Sequence, residues 1–187
     1  MAVRALNNSR ILEAFPHTAA VTAITDALCK EHDLTQDLCY EFLFTMAGPS
    51  RSNQDRAKLA DYLANLPAGS ALKQIAHYGQ LMDSASEVFR QFDYGSAGNL
   101  QRYGTAEPPE YQLRRVTCNL TLWWGATDDL AVQSNVEKIH ILTPNSTAIQ
   151  VASPEWNHLD FLIRLDVKAK LHDGVLAVLA DYDRQHP

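Results

Sequence analysis

Two residues stand where a parallel sheet would gather its chemistry. The apolar run Val116–Trp124 is followed at once by Gly125-Ala126-Thr127-Asp128-Asp129-Leu130-Ala131, and the shorter run Thr147–Val151 leads into Pro154-Glu155-Trp156-Asn157-His158-Leu159-Asp160-Phe161. In parallel sheets, reactive groups collect on the loops at the carboxyl ends of the strands. Neighbouring strands lie roughly 5 Å apart, so loops leaving the same end can bring Asp128 within hydrogen-bonding reach of His158. A carboxylate that fixes one imidazole nitrogen leaves the other free to take a proton, which is the Asp–His half of a nucleophilic triad. Asp129 competes with its neighbour for that role, and Asp160 could serve as a second carboxylate near His158. Each residue also has a bland reading: an Asp after a strand serves as a turn or cap residue, and a loop His is structural or merely exposed.

The elements that must hold these residues follow from periodicity. Val116 to Trp124 is continuous, apolar and β-branched, the mark of a strand buried on both faces. Ser134-x-x-Glu137 reads as a capping box that opens a short helix through Val136, Ile139 and His140. A second strand covers Thr147 to Val151, and Gly174 to Tyr182 forms a closing helix. Strand, helix, strand, helix implies a parallel sheet. Two strands are too few for a stable open sheet, so this part is expected to be the end of a larger one.

Residues up to about 112 read differently, as helices joined by polar loops. The spacing of Ala71, Ile75, Tyr78, Met82, Ala85, Phe89 and Phe92 predicts one long amphipathic helix over Ser70 to Phe92. A second helix is expected over Leu34 to Met46, with Leu38, Phe42 and Met46 on its buried side and Gly48-Pro49 as its stop. A third lies near Asn53 to Ala64 and stops before Pro67. Between Phe92 and Tyr111 the glycines, aromatics and Pro108-Pro109 read as an irregular surface segment.

Composition bounds the alternatives. The 187 residues carry 16 Lys+Arg against 22 Asp+Glu, a net charge of −6, and 46% of them are hydrophobic. That is globular composition, and an acidic chain without a basic run is a poor partner for nucleic acid. No apolar stretch approaches the roughly 20 residues of a membrane span. Met1 to Arg10 lack the apolar core of a signal peptide. Of the three cysteines, Cys29 and Cys39 are close enough for a local bridge in a secreted protein, with Cys118 left over; in the cytosol all three would be buried thiols. Sequons at Asn7, Asn119 and Asn145 lean weakly towards a secretory route.

Several strings carry a more specific signal. They are Leu66-Pro67-Ala68-Gly69-Ser70 leading into His77-Tyr78-Gly79-Gln80, Phe92-Asp93-Tyr94-Gly95 with Asn99 and Tyr103-Gly104, and Pro108-Pro109-x-Tyr111. Gly125-x-x-Asp128-x-Leu130-Ala131 and Asn157-His158-Leu159-Asp160-Phe161 complete the series. In this order and spacing the chain resembles the acid lipase family, the gastric and lysosomal lipases with their insect and plant relatives. The resemblance implies the C-terminal part of an α/β-hydrolase: residues 1–112 a helical cap or lid region, and 113–187 the last core strands with their helices. It implies Asp128 as catalytic acid and His158 as catalytic base, with Asp129 at a variable position. Cys29 and Cys39 resemble the family's cap disulfide, and a further cap cysteine of the family falls near Ala47. Departures occur at Val132-Gln133-Ser134-Asn135-Val136, where the family has Pro and Asp-Val, and at Asn119, which replaces a Pro.

The resemblance further implies a carboxylic ester hydrolase of lipid catabolism, secreted or lysosomal and glycosylated, acting on triacylglycerols or sterol esters. The cap would meet the lipid interface, and neither cofactor nor metal is implied. Yet no serine here stands in a G-x-S-x-G context; in Gly95-Ser96-Ala97-Gly98 the first glycine adjoins the serine. The chain therefore resembles the second half of such a lipase (a fragment, an incompletely delimited gene or a truncated paralogue), and these residues alone are expected to be inactive. Two other readings stand beside it: a truncated, non-catalytic lipase-like lipid-binding protein, and a small α/β binding domain whose Asp and His are structural.

Overall fold

The computed structural model describes residues 13–14, 16, 18–29, 34–50, 53–55, 59–63, 65, 68–82 and 88–186. In chain order the elements are β1 (Glu13–Ala14), α1 (Ala19–Cys29), α2 (Leu34–Ala47), α3 (Leu59–Leu63), β2 (Ser70–Ala71), α4 (Leu72–Met82), α5 (Ser96–Tyr103), β3 (Leu120–Trp124), α6 (Gln133–Leu142), β4 (Ser146–Gln150), α7 (Asp160–Ile163) and α8 (Asp173–Gln185). They fall into two compact units, Met1–Val21 with Asn65–Gln112, and Thr22–Ala64 with Leu113–Pro187. A single boundary at 112 does not describe this division, because residues 22–64 pack with 113–187.

In the first unit β1 and β2 pair antiparallel, Glu13 opposite Ala71. The long helix expected over Ser70–Phe92 begins at Leu72 and is described as far as Met82; Ala85 lies outside the described residues. Phe89 and Phe92 are not helical: Arg90 bridges antiparallel to Glu110, and the Gln91 N–H donates to the Pro109 carbonyl at 2.9 Å. The face assigned to the core is open, with Ile75, Tyr78 and Met82 all exposed, while Ala76 is buried. Polar residues anchor α4 instead. A His77 ring nitrogen lies 2.9 Å from the Arg90 carbonyl oxygen, and the Gln80 amide donates to the Asp93 carbonyl and accepts the Asp93 N–H. The segment read as irregular contains α5, closed by Gly104 in the left-handed region at φ 76°, where glycine carries no Cβ penalty.

In the second unit the Cys29–Cys39 disulfide joins the end of α1 to α2. The extent of α2 matches its spacing, but its face does not. Gln36, Tyr40, Phe44 and Ala47 are buried, whereas Leu38 and Met46 are exposed; the Phe42 side chain lies outside the description. Burial of Tyr40 is possible because its hydroxyl donates to Gln54, which removes the cost of an unpaired buried polar group. Tyr40, Phe44, Leu63 and Ile163 form one core cluster with the disulfide sulfur of Cys29. Of the helix expected near Asn53–Ala64, Leu59–Leu63 is helical, whereas residues 53–55 are not, because Gln54 bridges to Arg164.

Strands β3 and β4 are parallel and adjacent, in register from Leu120 opposite Ser146 to Trp124 opposite Gln150. Every residue of β3 is half-buried, not buried on both faces. The run Val116–Trp124 is strand only in its second half, after a 3-10 turn at Leu113–Arg115. Ser134 does not cap α6. The helix starts at Gln133 after Val132, with no side-chain cap bond, and Glu137 accepts from the Gln133 amide at 2.6 Å instead. A π-helical turn, Lys168–His172, leads into α8. Val151, Trp156 and Leu171 form the second core cluster, against Trp123, Phe161, Val167 and Val175. Among the described residues no helix is long and apolar enough to cross a membrane.

Candidate active site

The loop after β3 is shaped by one close approach. A Cβ on Gly125 would stand 2.1 Å from the Trp156 carbonyl oxygen, so only glycine lets the two strand exits touch. The same carbonyl accepts the Thr127 N–H at 3.1 Å. Asp128 follows, and its carboxylate is 2% exposed. One oxygen, Oδ1, accepts the N–H groups of Leu130 at 2.9 Å and Ala131 at 2.7 Å. The other, Oδ2, lies 3.0 Å from His158 Nδ1. An ionised carboxylate only accepts, so Nδ1 carries the proton in this bond and Nε2 is the nitrogen left with a lone pair. The His158 side chain is 49% exposed and lines a cleft of about 340 Å³ with Trp123, Trp124, Ala131, Phe161 and Leu162.

The three carboxylates that strand position alone left in competition take three different places. Asp128 meets the imidazole. The Asp129 N–H bonds the Ala47 carbonyl at 3.4 Å, and its side chain lines a second cleft of about 210 Å³ beside Tyr40 and Phe44. Asp160 is wholly buried and accepts from the Gln54 amide at 2.9 Å and from the Asn157 N–H at 3.0 Å. Three features escaped the reading of the sequence: the two tryptophans beside His158, the Ala47 carbonyl that also accepts the His158 N–H at 3.2 Å, and the polar cluster around Asp160. The spacing Asn157-x-x-Asp160 was the available signal for the last. Among the described residues no group of three or more His, Cys, Asp or Glu side chains is arranged to hold a metal ion.

Comparison with known proteins bears on what such a pair does. No family model matches the chain. Mouse "Lipase member N" is 32% identical over 152 residues, 80% of this chain and 37% of that protein. The "Putative lysosomal acid lipase/cholesteryl ester hydrolase" of Crotalus adamanteus is 28% identical over 175 residues, 93% of this chain and 43% of that protein. The rat "Lysosomal acid lipase/cholesteryl ester hydrolase" is 28% identical over 169 residues, 89% of this chain and 41% of that protein. Relatives such as these, 25–32% identical over most of the chain, support the acid lipase family. The lipase relatives imply an α/β-hydrolase, and the parallel pair β3–β4 with its flanking helices is consistent with that fold. Lipase activity is the family's property, and the snake and rat relatives are lysosomal by name. The chain spans about two-fifths of the length of these relatives, 37% to 43%.

Proposed function

We propose that residues 113–187 are the closing part of an α/β-hydrolase core, and that Asp128 and His158 are the acid and base of a carboxylic ester hydrolase. The single observation that carries this reading is the 3.0 Å contact between Asp128 Oδ2 and His158 Nδ1. The nucleophile is a serine from outside these 187 residues, none of whose serines has the G-x-S-x-G context. Its hydroxyl attacks the ester carbonyl as His158 Nε2 takes the proton; the imidazolium so formed is stabilised by Asp128 and then protonates the leaving alcohol. In the second half His158 deprotonates water, which attacks the acyl-enzyme and releases the acid.

The substrate is a lipid ester, a triacylglycerol or a sterol ester. The apolar side chains of Trp123, Trp124, Phe161 and Leu162 around the cleft support that class, as do the names of the relatives. Residues 1–112 act as the cap region that meets the lipid surface, although 22–64 pack with 113–187. The Cys29–Cys39 bridge and the exposed sequons Asn119 and Asn145 support a glycosylated protein of the lysosome or the extracellular space. A truncated, non-catalytic lipid-binding protein is the second reading, favoured by the missing elbow serine. Ester hydrolysis separates the two. A protein carrying these residues together with a G-x-S-x-G serine is expected to hydrolyse a triacylglycerol or cholesteryl ester emulsion, while the 187 residues alone turn over no chromogenic ester. Lipid binding without turnover in the serine-bearing protein would support the second reading instead.

A further inference from the structure

His158 sits inside a reciprocal hydrogen-bonded box. Asn157 Oδ1 accepts the N–H groups of Leu159 and Asp160, both at 3.0 Å, and Asp160 Oδ2 returns the favour by accepting the Asn157 N–H at 3.0 Å. This is the logic of a capping box, written here Asn-x-x-Asp, with both side chains wholly buried. Asp160 Oδ1 takes a second donor, the Gln54 amide at 2.9 Å. The same amide donates to the Ser50 hydroxyl at 2.7 Å, and Gln54 in turn accepts from the Tyr40 hydroxyl. Arg164 Nη1 approaches Oδ2 at 3.6 Å. On the other side of the box, the Asn157 amide donates to the Gly48 carbonyl at 2.7 Å.

We propose that the Asn157–Asp160 box, with the Asp160 carboxylate as its hub, positions His158 against Asp128. The chemistry of the hub requires an acid. Donors converge on both oxygens, and an amide would offer one acceptor and present an N–H to donors at the other. His158 itself is half exposed, so packing alone does not hold its ring; its place depends on the backbone beneath it. Asp160 touches no reacting atom and acts through His158, as a positioning residue. Its bearing on turnover rests on the ester-hydrolase reading, whereas the placement of the ring does not.

The test uses proton NMR of the 187-residue chain, following the downfield Nδ1–H resonance of an imidazole bonded to a carboxylate. Its assignment comes from its loss in Asp128→Asn. Asp160→Asn is expected to abolish the resonance while the circular dichroism of the remaining fold persists; a resonance of unchanged position and intensity overturns the proposal. If Asp160→Asn does not fold, Asn157 decides. Asn157→Ser keeps an acceptor for the two N–H groups and should retain the resonance, and Asn157→Ala should lose it. Equal signals from the two variants overturn the box. A wild-type chain without the resonance overturns both the box and the dyad. Absent ester turnover in the serine-bearing protein with the resonance intact would remove only the ester-hydrolase reading.

Discussion

Asp128 has its hydrogen-bonding capacity committed within the fold. Two backbone N–H groups hold Oδ1, and the imidazole takes Oδ2. An asparagine at 128 must turn its NH₂ either to those backbone donors or to Nδ1, and the second choice selects the wrong tautomer of His158. In the serine-bearing hydrolase, Asp128→Asn is therefore expected to lower kcat by a factor on the order of 10⁴, the loss measured when a triad Asp becomes Asn. Steady-state kinetics beside circular dichroism measures this, and a loss below tenfold with the fold intact would remove Asp128 from the mechanism. Both members of the pair were legible in the sequence because each lies on the loop that leaves an apolar strand. Strand position alone left the choice between Asp128 and Asp129 open, since adjacent residues share one loop, and it was the resemblance that pointed to Asp128. Asp160 read as a spare carboxylate because the sequence gives no sign that Gln54, 106 positions away, points at it.

At the scale of elements, the turn that ends α2 does more than stop a helix. The Ala47 carbonyl accepts N–H groups from both site loops, those of Asp129 and His158. Gly48 follows at φ 99°, and a Cβ there would stand 1.9 Å from the Thr127 carbonyl oxygen. Left-handed backbone at a non-glycine residue costs of order 1–3 kcal/mol, and the backbone clash adds to it. Gly48→Ala is thus expected to destabilise the second unit by about 2 kcal/mol or more, read as a lower urea midpoint; an unchanged midpoint would contradict this packing. Gly48-Pro49 announced the stop in the sequence, but the partner of the turn was invisible there. Helix faces fared worse for a physical reason. Hydrophobic periodicity scores Leu38 and Met46 as core and Gln36 as surface, yet Gln36 and Tyr40 are buried, in the case of Tyr40 through a hydrogen bond that periodicity does not count. Likewise Phe89 and Phe92 continue the helical spacing of α4, but a bridge between Arg90 and Glu110, 20 positions apart, takes that segment out of the helix.

Across the whole molecule, charge pairing links stability to pH. Burial pushes the Asp166 carboxyl up, but the hydrogen bond and charge of Arg164, helped by Asn53, more than reverse this and hold it below the ordinary carboxylate value. A depressed carboxyl contributes stability that is present above the unfolded-state value of about 4 and is lost as pH falls through the lower folded value. Asp166→Asn is expected to lower the urea midpoint at neutral pH and to close the gap with wild type in strong acid. A gap that stays constant down to the lowest pH at which the protein folds would contradict the pairing. The parallel order of β3 and β4 was readable from two apolar runs and the helix between them; the packing of residues 22–64 with 113–187 was not, because it rests on contacts such as Gln54–Asp160 and Ala47–His158 between distant positions. The most direct measurement of the central claim is ester turnover by the serine-bearing protein with and without His158→Ala. Loss of turnover to background, with circular dichroism and the Cys29–Cys39 bridge unchanged, is the expected result. Turnover that survives the substitution, or His158-dependent turnover by the 187 residues alone, would contradict the account.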